Sequence, residues 1–196
     1  MKKVLVINGH QYYPFSEGKL NTSLAEKAME AFKAAGYEVK VTKTQDEYDV
    51  EEEVGKFLWA DLVFVQMPLN WMGVSWSFKK YMDEVFSAGM MGSLSDGDGR
   101  TSAAPKKNYG LGGKLNGQYM LSVTANAPKE AFNDPEEKFF NGASEDDLLF
   151  PMHLNFKWFG LRPLKTFMAY DVMKNPEVEV DFKRFEKHLQ EEILNR

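Results

Sequence analysis

Two stretches constrain this chain more than any other feature. Val4-Leu5-Val6-Ile7 and Leu62-Val63-Phe64-Val65 are apolar at every position and rich in β-branched residues. A strand with one wet face alternates apolar and polar side chains, so an unbroken apolar run predicts a strand covered on both faces, as in a parallel sheet. Tyr119-Met120-Leu121-Ser122-Val123-Thr124 and Thr166-Phe167-Met168-Ala169-Tyr170 read as further strands, and Glu38-Val39-Lys40-Val41-Thr42 alternates as an edge strand does. Helical spacing fills the intervals. Leu20, Leu24, Ala28, Phe32 and Ala35 recur on one face and stop at Gly36. Val50, Val54, Phe57 and Leu58 predict a short second helix, and a third is expected from Val74 to Phe86. A fourth is expected from Asp146 to Phe159, interrupted or started by Pro151. A last one starts at Asp181 and buries Phe182, Phe185, Leu189 and Ile193.

Strict strand–helix alternation with buried strands implies an α/β chain: a five-stranded parallel sheet with helices on both faces, in the flavodoxin-like order 2-1-3-4-5. No linker or repeat divides it, so residues 1–196 are expected to form a single domain. Ligands in such folds sit beyond the C-terminal strand ends, beside the first strand. Function is therefore expected in the loops after strands one, three and four.

Composition removes several classes of function. There are 24 Lys+Arg against 29 Asp+Glu, a net charge of −5, which argues against a nucleic-acid partner. No apolar run reaches the roughly 20 residues of an integral membrane segment, and Val4 to Ile7 is too short for the apolar core of a secretory leader. Cysteine is absent, which excludes thiol nucleophiles, thiolate metal sites and disulfides and fits a cytoplasmic protein. The histidines, His10, His153 and His188, lie far apart, so no metal site is expected. Aromatic residues make up 14% of the chain, which fits a large core, an oligomer interface or a pocket for flat rings. Eight of the 15 glycines fall between Gly89 and Gly117, marking a long irregular excursion.

The first loop leads into its helix through Ser16, Glu17, Gly18, Lys19, Leu20, Asn21, Thr22 and Ser23. Free N–H groups and the helix dipole favour an anion there, although ordinary capping would use the same residues. The pattern is neither a Walker A loop nor Gly-x-Gly-x-x-Gly. After strand three, Pro68-Leu69-Asn70-Trp71-Met72-Gly73 combines a turn-setting proline, a large flat indole and a glycine that permits close backbone approach. After strand four, Thr124-Ala125-Asn126-Ala127 has small side chains that leave backbone amides accessible.

These segments resemble a known family. The likeness runs through Ile7-Asn8-Gly9, Gly18-x-Leu20-Asn21, Tyr48-Asp49-Val50 and Phe57-Leu58-Trp59-Ala60-Asp61. It continues through Gln66-Met67-Pro68-x-x-Trp71-Met72-Gly73, Lys79-Lys80-Tyr81-x-Asp83-x-Val85-Phe86 and Asp98-Gly99-Arg100-Thr101. Tyr119-Met120-Leu121-Ser122, Asn126-Ala127-Pro128-x-Glu130-Ala131-Phe132 and Phe139-Phe140 complete it. The chain is similar over nearly its whole length to the modulator-of-drug-activity-B family of NAD(P)H:quinone oxidoreductases, relatives of DT-diaphorase. Two positions depart from that pattern: Asn70 stands where relatives can carry a second tryptophan, and Asn141 where some carry histidine.

The resemblance implies a homodimer that binds FAD and reduces quinones to quinols by two electrons in a ping-pong cycle, with NADPH or NADH as donor. Ser16 to Ser23 would hold the pyrophosphate. Leu69 to Met72, following Pro68, and Thr124 to Ala127 would frame the flavin ring. Tyr109 would contact FAD from the glycine-rich excursion, and Trp71 and Phe132 would wall a planar slot. No catalytic side chain stands out; Tyr109 and His153 are the candidates for proton transfer. A flavin-binding electron-transfer protein and a non-catalytic regulatory module are the alternative readings.

Overall fold

Strand pairing organises the molecule. The computed structural model describes residues 2–195. It places β1 (Lys3–Asn8) between β2 (Glu38–Lys43) and β3 (Leu62–Pro68), with β4 (Gln118–Thr124) beyond β3, and all pairings are parallel. The fifth position is split. β5 (Arg162–Pro163) pairs with Gln118 and Tyr119, and β6 (Phe167–Ala169) pairs with Ser122 to Thr124. Four steps along the outer chain match three along β4, which is one inserted residue. Pro163, with no N–H to donate, sits where the strand breaks. The order is the expected 2-1-3-4-5, with β6 as the expected last strand and β5 an unexpected short piece ahead of it.

Alternation along the buried strands sends side chains to two apolar layers. Leu5, Ile7, Val63, Val65, Leu121 and Val123 face one layer, which α2 (Val50–Trp59), α3 (Trp76–Tyr81) and α6 (Phe150–Trp158) cover. Val4, Val6, Leu62, Phe64 and Met120 face the other, which α1 (Lys19–Ala34) and α7 (Val178–Leu189) cover with Leu24, Ala28, Phe32, Phe185 and Leu189. β2 is an exposed edge, as its alternation predicts.

Local chemistry sets the helix ends. Asp49 accepts the N–H of Glu52 at 2.8 Å and caps α2, whose first turn carries Glu51, Glu52 and Glu53 and whose last turn carries Lys56. Glu53 is nonetheless buried. Its carboxylate accepts from Thr42 and Tyr81 hydroxyls at 2.7 and 2.8 Å and from Lys56 Nζ at 2.6 Å, tying α2 to β2 and α3.

Three helices differ from their sequence-based bounds. The third runs on from α3 through a π-helical turn, Met82–Phe86, into α4 (Ser87–Met90), so it ends beyond Phe86. The fourth divides at Leu149 into α5 (Glu145–Leu148), closed by a Ser144–Asp147 capping box, and α6, which carries Pro151 in its first turn. The last starts at Val178, and Asp181 lies inside it, buried and bonded to Arg184 Nη1 at 2.6 Å.

Gly9, just after β1, lies directly under Phe78 of α3. A Cβ there would stand 2.4 Å from Phe78 Cδ1. Gly9→Ala should therefore lower stability by about 1–3 kcal/mol through overpacking. The same change made in a Phe78→Ala background should have little effect. Calorimetric melting of the four proteins in that double-mutant cycle measures the coupling.

Candidate functional site

The three predicted loops do meet at one edge of the sheet. Gly9 N–H donates to Gln66 O at 2.8 Å, Leu69 N–H to Thr124 O at 2.8 Å, and the Ser75 hydroxyl to Gly9 O at 2.7 Å.

In the first loop, Tyr13 and Ser16 exchange two backbone bonds of 3.0 and 2.8 Å, closing a tight turn on which the Tyr13 and Phe15 rings stack. Gly18 follows with φ +79, a left-handed conformation suited to glycine, and α1 begins. The first bond of the helix is Thr22 N–H to Gly18 O at 2.9 Å. The N–H groups of Lys19, Leu20 and Asn21 thus have no intrahelical acceptor. No side chain caps this end, and no acidic residue lies in its first turn. The ammonium of Lys19 is bridged to Glu17 at 2.7 Å in solvent, which raises its pKa.

His10 lies beneath that helix start. Its ring is only 2.4 Å from where a Cβ on Gly18 would stand, so Gly18 makes room for the imidazole. The residue is 5% exposed and its Nε2 has no hydrogen-bond partner. Burial lowers its pKa, opposed by a bond with the Ser16 backbone. The three free N–H groups of this uncapped helix end are the arrangement an anionic ligand completes.

The loop after β3 is a strained hairpin. Asn70 and Gly73 exchange two backbone bonds of 2.9 Å, and between them Trp71 and Met72 have φ +47 and +62. Both central positions of such a turn favour Gly or Asn; holding bulky residues there costs of order 1–3 kcal/mol each. Trp71 is 99% exposed as a result. The left-handed positions are thus Trp71 and Met72; Gly73, expected to permit close backbone approach, is open, since an added Cβ would meet only Asn70 O at 3.8 Å.

After β4, Ala125 N–H is committed to Ala169 O at 2.8 Å, and Asp171 N–H binds Ala127 O at 3.0 Å. The loop is pinned to the chain that follows β6. Contrary to the open-amide expectation, backbone donation to a ligand falls to Asn126 and Ala127. The Asn21 side chain is also committed: Nδ2 donates to Thr124 Oγ1 at 3.0 Å and Oδ1 accepts from Gln66 Nε2 at 2.9 Å. Asn21 therefore braces the helix end internally, and its side chain is not a free phosphate donor.

Other expected residues lie apart. Phe132 is buried and stacks on Phe140 at 4.5 Å, so it is core rather than slot wall. His153 sits on α6, its Nδ1 2.8 Å from the Tyr119 hydroxyl and its Nε2 3.1 Å from Asp146, which also accepts from Thr166. Burial and the Asp146 charge push the Tyr119 pKa up. Tyr119 belongs to the first half of β4, so this chain of bonds fastens α5 and α6 to the sheet far from the strand ends. Tyr109 is 69% exposed, with its ring edge-on to Trp158 and Arg100 above it. Phe159, just beyond Trp158, holds Leu115 N–H at 2.9 Å shortly before β4 begins. Seven residues of β4 then separate that level from Thr124, about 20 Å. From sequence, neither His10 nor Gln66 has an assigned role. The available signal for Gln66 was a polar residue between Val65 and Met67 in an otherwise apolar strand.

Comparison with known proteins places this geometry. The family described as Flavodoxin-like fold, Flavodoxin_2, matches residues 2–193. NADPH:quinone oxidoreductase MdaB of Haemophilus influenzae is 44% identical over 188 residues, which is 95% of this chain and 97% of that protein. Among solved structures, a proposed quinone reductase of Klebsiella pneumoniae superposes with a TM-score of 0.74 at 22% identity, covering 97% of this chain and 83% of that one. General stress protein 14 of Treponema denticola, in complex with FMN, superposes with a TM-score of 0.63 at 16% identity, covering 100% of this chain and 98% of that one.

The lowered pKa of His10 has a definite sign. Below its ordinary value of 6.5, the unfolded chain takes up a proton that the folded chain resists. This contribution to stability is present above pH 6.5 and is lost as pH falls toward the folded value. Urea midpoints measured from pH 8 to pH 5 should fall for the ligand-free protein. They should fall distinctly less for His10→Gln, and superimposable profiles would contradict the assignment.

Proposed function

We infer the function from one premise: the chain belongs to the Flavodoxin_2 family, described as Flavodoxin-like fold, and within it to the MdaB group of NADPH:quinone oxidoreductases. On that premise it is an FAD-dependent NAD(P)H:quinone oxidoreductase that takes quinones to quinols by two electrons. The observation that carries this reading is a two-part site. An uncapped helix start lies at one strand end, and a fully exposed Trp71 on a strained turn lies at the neighbouring one. The first suits a pyrophosphate and the second a flat ring, and a flavin dinucleotide has both.

The residues present fit such a group. The N–H groups of Lys19, Leu20 and Asn21 and the hydroxyls of Ser16, Thr22 and Ser23 would hold the diphosphate. Leu69 to Met72 would border the ring on one side and Asn126 and Ala127 on the other. The chemistry a bound FAD supplies is hydride transfer, from NAD(P)H in one half-reaction and to quinone in the other. The turn at Asn70–Gly73 keeps the Trp71 face in place, where it shields the reacting rings from water. Nicotinamide and quinone need the same flat position, so they occupy it in turn, in a ping-pong cycle. His153 is removed from proton transfer at this site by its bonds to Tyr119 and Asp146.

A homodimer belongs to the same reading. α6 is apolar on both sides: Met152 and Phe156 are buried inward, while Phe150 and Leu154 are exposed outward. Large apolar side chains left on a helix's outer face are ones that a partner normally covers. Its outer face borders a groove of about 420 Å³ with Met82, Phe86 and Met90 on the facing helices. Tyr109 packs edge-on against Trp158, which lines that groove, so a second copy docked there about a two-fold axis would place Tyr109 beside the interface, where it could act across it rather than within its own subunit. No helix among the described residues is long and apolar enough to cross a membrane. Action in the cytoplasm completes the reading and suits a chain without cysteine.

Two experiments test it. Purified protein should show a flavin spectrum that bleaches on anaerobic NADPH addition and recovers with a quinone. Chromatography of the released flavin should give FAD, and double-reciprocal rate plots should be parallel. FMN as the stoichiometric species, or intersecting lines, would overturn the cofactor or the mechanism respectively. Separately, Leu154→Glu should convert a sedimenting dimer to a monomer with strongly reduced quinone turnover. A fully active monomer would show that Tyr109 has no role across the interface.

A further inference from the structure

On the α1 side of the sheet, the central strands change character near their C-terminal ends. Val6, Phe64 and Met120 are apolar, and one step further on the same face stand Asn8, Gln66 and Ser122, followed on β4 by Thr124. Gln66 pairs with Asn8 on one side and with Ser122 on the other. The side chains form one directed chain of bonds. Ser122 Oγ donates to Gln66 Oε1 at 2.7 Å, Gln66 Nε2 donates to Asn21 Oδ1 at 2.9 Å, and Asn21 Nδ2 donates to Thr124 Oγ1 at 3.0 Å. Gln66 and Ser122 are wholly buried, and Asn21 and Thr124 nearly so. A set of apolar side chains would fill this space with similar stability, because replacing both partners of a buried hydrogen bond is nearly neutral. What an apolar set lacks is direction. Van der Waals contacts let a helix slide over a sheet, whereas three oriented bonds hold one arrangement.

We propose that Gln66 is a positioning residue that locks the open first turn of α1 to the end of β4, fixing the spacing between the anion-binding and ring-binding halves of the site. It acts through Asn21 and Ser122 and lies beneath the loops that would touch a ligand. The ligand part of this inference rests on the flavin reading above, while the lock itself is a property of the ligand-free chain.

The test uses Gln66→Met, which keeps length and removes both polar atoms, and Ser122→Ala as a milder cut should the first fail to fold. Val63→Ala, a buried truncation on the opposite face of the same strand, is the control for general destabilisation. Hydrogen exchange on ligand-free protein should speed up at least tenfold together at the amides of Thr22, Leu69 and Ala125 in the Gln66 variant. These amides lie on three different segments, and Val63→Ala should not link them. FAD affinity, followed by flavin fluorescence, should weaken at least tenfold with a shifted visible spectrum, and Val63→Ala should leave both near wild type. Unlinked exchange, or equal effects in the control, would overturn the lock. If the unaltered protein takes up no flavin, the flavin reading fails, and the exchange result still decides the lock.

Discussion

The parallel register between β1, β3 and β4 is the constraint on which the rest of this molecule depends. It lines up Asn8, Gln66 and Ser122 across three adjacent strands, so that the apolar layer under α1 ends in a band of amides and hydroxyls. That band receives Asn21 from the helix. A slip of one residue in any strand would turn these polar groups into the opposite apolar layer and bring Val65 or Val123 under the helix start. Fold and site are therefore set by the same pairing, and the loops beyond the strand ends inherit their positions from it.

Above that rigid base, the loops hold features that a chain optimised only for stability would remove. The first turn of α1 has no cap, His10 keeps an orphaned nitrogen, and Trp71 and Met72 occupy left-handed positions. Each is unfavourable in the isolated chain; an anion would satisfy the open turn, and a flat apolar surface would cover the exposed Trp71. Their concentration at one sheet edge is a physical argument for a ligand there that does not rest on kinship. The outward apolar stripe of α6 makes the corresponding argument for a second subunit.

The elements nearest the centre of the sheet were legible because burial on two faces leaves an unbroken apolar run, and helical periodicity marked α1 and α2 closely. Elements away from the centre were less legible. The last strand is legible at Thr166–Tyr170, where β6 lies, but β5 is not, since its two residues, Arg162 and Pro163, are too few to show a period. The sequence-based start of the last helix, Asp181, lies three residues late: it sits in the first turn of a helix that begins at Val178, where it pairs with Arg184.

By itself the sequence determined the alternating architecture, the C-terminal edge of the sheet and the three loops that build that edge. Those follow from periodicities of two and 3.6 residues and from chain order, which are local properties. Only the tertiary structure decided what each side chain in those loops faces. Asn21 turned inward to Gln66 and Thr124, Phe132 joined the core, and His153 bonded to Tyr119 far from the strand ends. Trp71 was thrust into solvent. Partners such as Asn21 and Thr124 stand 103 residues apart. No local pattern encodes whether a polar group will meet a buried neighbour or a ligand, because that choice is made when distant segments pack.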